Sequence, residues 1–167
     1  MELQEYVFQC VAELPPMVIR SYIAGLQEQI KESKDSLPSE SCPVKHVFAP
    51  GMYAREMSIP KGILLIGKIH RGSHINVVSK GSIRVLTEQG TKVITAPCSF
   101  VSDGGTKRVG IALEDTVWTT FHATNSTDLA EIEKEIIAED FSDIEIDGAF
   151  RHVEDQLCLG SWQEQQQ

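Results

Sequence analysis

Apolar positions change their spacing twice along this chain, and the changes divide it. From Glu2 to Leu14, Leu3, Val7, Cys10, Val11 and Leu14 recur at helical intervals until Pro15 and Pro16 stop the pattern. Val18, Ile19, Tyr22, Ile23, Leu26 and Ile30 then mark one face of a second helix running to about Ser33, with Gln27, Glu28, Gln29 and Lys31 opposite. Residues 1–33 therefore read as an N-terminal helical pair. It either packs on the outside of the rest of the chain or offers an apolar face to another subunit.

Lys34 to Pro43, rich in proline and serine, reads as a solvated linker. From Val44 the pattern becomes short apolar runs between turn signals at Pro50-Gly51, Pro60-Lys61-Gly62, Arg71-Gly72, Lys80-Gly81, Gln89-Gly90 and Asp103-Gly104-Gly105. Between them the sequence predicts strands over Tyr53 to Ile59, Ile63 to Ile69, Ile75 to Val78, Ile83 to Leu86, Lys92 to Ala96, Val109 to Leu113 and Thr116 to Phe121. Short strands at this spacing predict a mainly β, antiparallel sandwich or barrel over residues 44–125.

Ser126 and Thr127, or Asp128 with Glu131, can cap a helix over residues 126–140 whose apolar face is Leu129, Ile132, Ile136 and Ile137. In the extension 141–167, Phe141 to Gly148 could add a strand, and Trp162 to Gln167 reads as a frayed polar end.

The chain's 167 residues suit one domain with appendages. No window approaches the roughly 20 apolar residues of a membrane span, and Glu2 and Glu5 stand where a signal peptide would be basic. The expectation is a soluble, intracellular protein. A formal charge of -9 repels phosphate backbones, so nucleic acid is not an expected partner. Cys10, Cys42, Cys98 and Cys158 form no C-x-x-C pair and read as reduced packing residues.

Read across its turns, the central segment resembles the cupin family of small jelly-roll barrels, whose first motif is G-x5-H-x-H-x3,4-E-x6-G. Anchored on Gly81, that motif puts its glutamate on His74, its second histidine on His70 and its first on Lys68. The second motif, P-x-G-x2-H, falls on Asp103 to Arg108, which keeps the glycine but has arginine at the ligand position, and arginine binds no metal. If Glu114 and Asp115 turn a hairpin, Arg108 and His122 lie opposite each other on one face.

With that register, His70, His74 and His122 could form a three-imidazole metal site. Such a site suits zinc, iron, nickel or copper better than magnesium or calcium, and manganese is a further candidate by resemblance. Isolated histidines on strands also serve hydrogen-bond networks and barrel rims, and that reading stays open. Glu56 might supply a carboxylate, while Lys68, Lys107 and Arg108 could hold an anionic small molecule. Gly104 to Arg108 lacks the strand-to-helix setting of a phosphate loop and reads as a turn. His46 and His152 read as surface or packing residues.

Gly51 to Glu56 and Leu113 to His122 also look like cupin-like proteins encoded by tailed bacteriophages, over about Val44 to Ile137. That resemblance implies the infected bacterial cytoplasm or a virion as the setting. It leaves two functions: a small-molecule pocket with a divalent metal, or a non-catalytic structural or adaptor protein that has lost the metal site. In either case the resemblance implies a homo-oligomer.

Overall fold

The computed structural model describes residues 8–34, 36–139 and 141–144. Two antiparallel sheets face each other. The five-stranded sheet has the order β1-β2-β10-β5-β8, built from β1 (Val44–Ala49), β2 (Met52–Ile59), β5 (His74–Lys80), β8 (Cys98–Ser102) and β10 (Thr116–Ala123). The four-stranded sheet has the order β3-β9-β6-β7, from β3 (Leu64–Ile66), β6 (Ser82–Thr87), β7 (Gly90–Thr95) and β9 (Val109–Ala112). The mainly β, antiparallel architecture expected from the turn spacing is present.

Alternation along each strand decides what lies between the sheets. Ile59, Val78, Ile83, Val85, Ile94, Cys98, Phe100, Ala112 and Trp118 form the inner core. On β6 and β9 the alternate residues, Leu86, Val109 and Ile111, point outward and would be wet without a cover. That cover is α1 (Pro16–Glu32), opened by a proline whose fixed φ suits the first turn. Its Ile19, Ile23 and Leu26 bury against the outer face with Phe8 and Val11. Each such aliphatic burial is worth about 1.5–3 kcal/mol. Arg20 adds a two-pronged ion pair to Glu88 at the β6–β7 turn, with bonds of 2.7 and 2.8 Å. Packing on the outer face of the four-stranded sheet is thus the arrangement the second helix adopts.

Four expectations need correction. In place of the expected first helix, the described residues have a helical end at Phe8 and Gln9 and a 3-10 turn, Val11–Glu13, ahead of α1; Glu2 to Val7 lies outside the described residues. The strand expected over Ile63 to Ile69 breaks at Gly67, giving β3 and a separate β4 (Ile69–His70). Gly67 N donates to Arg108 O there, and a side chain on Gly67 would stand 3.1 Å from Arg108 Cγ. Strands β1 and β8 are additional to those expected, the first masked by its exposed positions and the second by its place after Pro97. Finally, Phe141–Asp143 is a 3-10 turn rather than the start of a strand, and the remainder of that expected strand lies outside the described residues.

The C-terminal helix forms as α2 (Leu129–Ile136), capped by Asp128, whose carboxylate accepts from the Ala130 and Glu131 amides. It runs directly into β11 (Ile137–Ala138), which pairs with β4, bringing Ile137 opposite His70. Arg71 fastens this junction, donating through Nε to Ile137 O and through its guanidinium to Asp143 O.

Candidate functional site

The expected hairpin between β9 and β10 does not form, because those strands belong to opposite sheets. At the crossover, the Leu113 and Glu114 amides both donate to Ser82 O, and Thr116 then enters the other sheet opposite Ile59. His122 is therefore opposite Tyr53 and not Arg108. It still faces the interior, two and four residues beyond Thr120 and the core residue Trp118 on the same row of β10.

Register across the five-stranded sheet lays side chains in inward-facing rows. One row runs Tyr53, His122, His74, Ser102, since Tyr53 pairs with His122 and His74 with Ser102. The next runs Arg55, Thr120, Asn76, Phe100. His70 comes in from β4 to complete the cluster. The ring centroids of His70 and His74 are 4.1 Å apart, and each is 5.0 Å from that of His122. His74 and His122 are only 5% and 7% exposed, so they meet each other and not solvent.

Burial sets the protonation of this cluster. It drives His70 down to about 2 and His74 to about 4, helped for both by the cationic Arg108, and it also lowers His122, with Arg55 contributing. All three are neutral imidazoles at neutral pH and each keeps one lone pair. His74 Nδ1 lies 3.3 Å from Gly72 O, which fixes the proton on that nitrogen and leaves Nε2 as the free donor atom. His122 Nε2 is buried without a hydrogen-bond partner.

These facts bear on whether a metal fits. Nitrogen ligands bound at about 2.0–2.1 Å put imidazole centroids around one ion roughly 5 Å apart, the spacing of His122 from each of the other two rings, while His70 and His74 are closer at 4.1 Å. The donor set, three neutral imidazoles with an orphaned buried nitrogen, matches a transition ion. As the side chains stand, no group of three or more His, Cys, Asp or Glu among the described residues is placed to hold a metal ion, and the rings here lie partly stacked. Holding an ion requires them to rotate until their nitrogens converge.

The remaining expected residues part company. Glu56 alternates with the inward Arg55 and Met57, so it projects from the outer face of the sheet. Lys107 reaches the other way, donating to Gln27 on α1. Lys68 is exposed and ion-paired with Glu133 on α2. Arg108 does face the interior: it donates to Ser102 Oγ at 2.6 Å and lies 5.5 Å above the Trp118 ring. Burial lowers its pKa to about 10, which leaves it charged at neutral pH.

Arg55 is the interior residue that sequence reasoning missed. Only the register of β2 against β10, with Arg55 opposite Thr120, shows its face. Two surface depressions, of about 400 and 310 Å³, lie instead by Lys80 and Asp115, near the Thr116 end of β10, and no imidazole reaches them.

No family model matches the chain, and no curated protein matches its sequence. Solved structures do resemble it. They include KdgF from Halomonas sp., at 20% identity over 55% of this chain and 86% of that one, with a TM-score of 0.46. Ectoine synthase from P. lautus is 16% identical over 65% of this chain and 81% of its own, with a TM-score of 0.49. A cupin domain from Bordetella pertussis is 14% identical over 50% and 94%, with a TM-score of 0.41. Likeness at this level carries no residue role or activity over to this chain.

Proposed function

We propose that this chain is a cupin-like binding protein whose His70, His74 and His122 hold one divalent transition metal, zinc, iron, manganese or nickel, beside a small-molecule site. The observation that carries the reading is the convergence of three neutral imidazoles from three separate strands, two buried and one half-buried, one of them with an unpartnered nitrogen. Leaving a buried polar atom unpaired costs about 1–3 kcal/mol, a cost that a bound ion would remove. Such an ion, when bound, supplies Lewis acidity toward an oxygen ligand. His70 is the partly exposed member of the cluster, so entry is from its side.

The test is elemental analysis of protein purified without an affinity tag or chelator, wild type against a His70→Ala, His74→Ala double variant. About one metal per chain in the wild type and none in the variant supports the reading. No metal in either, after incubation with zinc, iron, manganese and nickel, rejects it.

A second reading, self-assembly, has its own observation. The outer face of the five-stranded sheet carries an apolar belt in register, Val47, Ala54, Phe121, Ile75, Val101, exposed at Val47, at Ile75 (53%) and at Val101 (46%). The neighbouring outward row pairs Lys45 with Glu56, opposite charges that a two-fold-related copy can match. A second copy of this chain is the proposed occupant. Light scattering should show a dimer that an Ile75→Lys, Val101→Lys variant converts to monomer; a monomeric wild type rejects it. The phage-type origin, with an infected cytoplasm or virion as setting, is part of this proposal, and the identity of neighbouring genes tests it.

A further inference from the structure

Arg55 and Arg108 both enter the barrel interior, and neither has a carboxylate partner among the described residues. The three described ion pairs, Arg20 with Glu88, Lys31 with Glu28 and Lys68 with Glu133, all lie elsewhere. Arg108 has Ser102 Oγ and the face of Trp118; Glu88 acts on it only from a distance and is already committed to Arg20. Thr120, directly opposite Arg55 on the same inward row, has a buried hydroxyl with no partner. The only inward carboxylate expected from the sequence, Glu56, is on the other face. Two fixed cations without a paired counter-charge are costly in a protein interior, where buried charges are ordinarily paired.

The missing charge has a defined place. Arg108 reaches Ser102, the cross-strand partner of His74, and Arg55 stands opposite Thr120, two residues along β10 from His122, so the guanidiniums come from opposite ends of the inward rows that carry the imidazoles. Arg108 is held there by a buried chain in which Trp118 Nε1 donates to Asn76 Oδ1, Asn76 Nδ2 donates to Ser102 Oγ, and Arg108 donates to the same hydroxyl. Among the described residues the Ser102 hydroxyl is the hydrogen-bond partner of its guanidinium.

From this arrangement we infer that the interior binds a small oxyanion, a carboxylate or phosphate-type group, between Arg55 and Arg108, with the Thr120 hydroxyl as a further donor. The inference deepens the proposed small-molecule site by naming its ligand class, but it needs no metal. A bound anion also offsets the repulsion that Arg108 and Arg55 exert on any cation at the histidines. Anion and metal binding are therefore mutually reinforcing where both occur.

The test uses the full chain, stripped with chelator, with Trp162→Phe leaving Trp118 as the single tryptophan beneath Arg108. Inorganic phosphate and formate are titrated separately while Trp118 fluorescence and the thermal midpoint are monitored. At least one should give a saturable response, weakened about tenfold or more by Arg55→Gln and by Arg108→Gln but kept by Arg108→Lys and by Lys92→Gln, which removes an exposed cation on β7. A response to formate alone assigns a carboxylate, and to phosphate alone a tetrahedral oxyanion. If Arg108→Gln does not fold, Arg55→Gln against Arg108→Lys decides. The inference falls if neither anion saturates, or if the response survives the Gln variants. Anion binding by a wild type that takes up no metal would overturn the metal reading alone and leave this one standing.

Discussion

Trp118 Nε1 donates to Asn76 Oδ1 at 2.9 Å across β10 and β5, and Asn76 is completely buried. The amide has a second obligation, donating to Ser102 Oγ at 2.8 Å, so one side chain ties three strands together under the site. Such a network stabilises only while every member is satisfied.

Asn76→Ala would leave the Trp118 indole N–H without its partner in the buried interior and would open a small void. The expected cost is about 2–4 kcal/mol. Urea unfolding monitored by near-ultraviolet circular dichroism checks it; a loss near zero would mean the network does not carry the core.

Gly81, between β5 and β6, has a physical reason to be glycine. Its φ is +79°, and a Cβ there would lie 2.3 Å from Asp115 O, a backbone atom that cannot swing away. Gly81→Ala should cost at least about 2 kcal/mol. Gly90 also has positive φ but open space around it, so Gly90→Ala should cost less. Equal thermal midpoints for the two variants would contradict this.

Glu88 is buried at the β6–β7 turn and neutralises Arg20 on α1. Removing it breaks both prongs of that charged hydrogen-bonded pair, so Glu88→Ala should destabilise by about 1.5–3 kcal/mol. Amide hydrogen exchange should speed up along Ile19 to Leu26 before the inner strands; unchanged exchange in α1 would show that its apolar face suffices.

The buried histidines make stability depend on pH in a defined direction. Their folded pKa values lie below the unfolded value near 6.5, His70 at about 2 and His74 at about 4, with His122 also lowered. Below about pH 6.5 the unfolded chain takes up protons that the folded chain refuses. Stability of metal-free protein should therefore be full above that pH and fall steadily as pH drops toward 4. His70→Gln with His74→Gln should flatten the fall between pH 6.5 and 4. An equally steep wild type and variant would place the acid sensitivity elsewhere.

Much of this is legible in the sequence for identifiable reasons. Glycine-marked turns and apolar alternation point to the two-sheet architecture, and Asp128 with Glu131 marks the start of α2. The convergence of His70, His74 and His122 is legible too, but through a hairpin that does not exist. β9 and β10 separate into different sheets, and His122 reaches the cluster by facing inward from its own sheet. A side chain's face depends on register, which local pattern does not fix: Arg55 and Glu56 are adjacent, and only strand pairing tells which is inside. Lys107 and Lys68 mislead for a similar reason. Their partners, Gln27 and Glu133, belong to helices whose docking the strand pattern does not encode.

Whether the three imidazoles hold one ion is read most directly with cobalt(II). Chelator-stripped protein titrated with cobalt should develop visible d–d absorption that saturates at about one ion per chain, and His74→Ala should abolish it while leaving the fold intact. Absorption indistinguishable from cobalt in buffer, in a wild-type protein shown to be folded, would contradict the claim and leave the histidines as packing groups around the arginines.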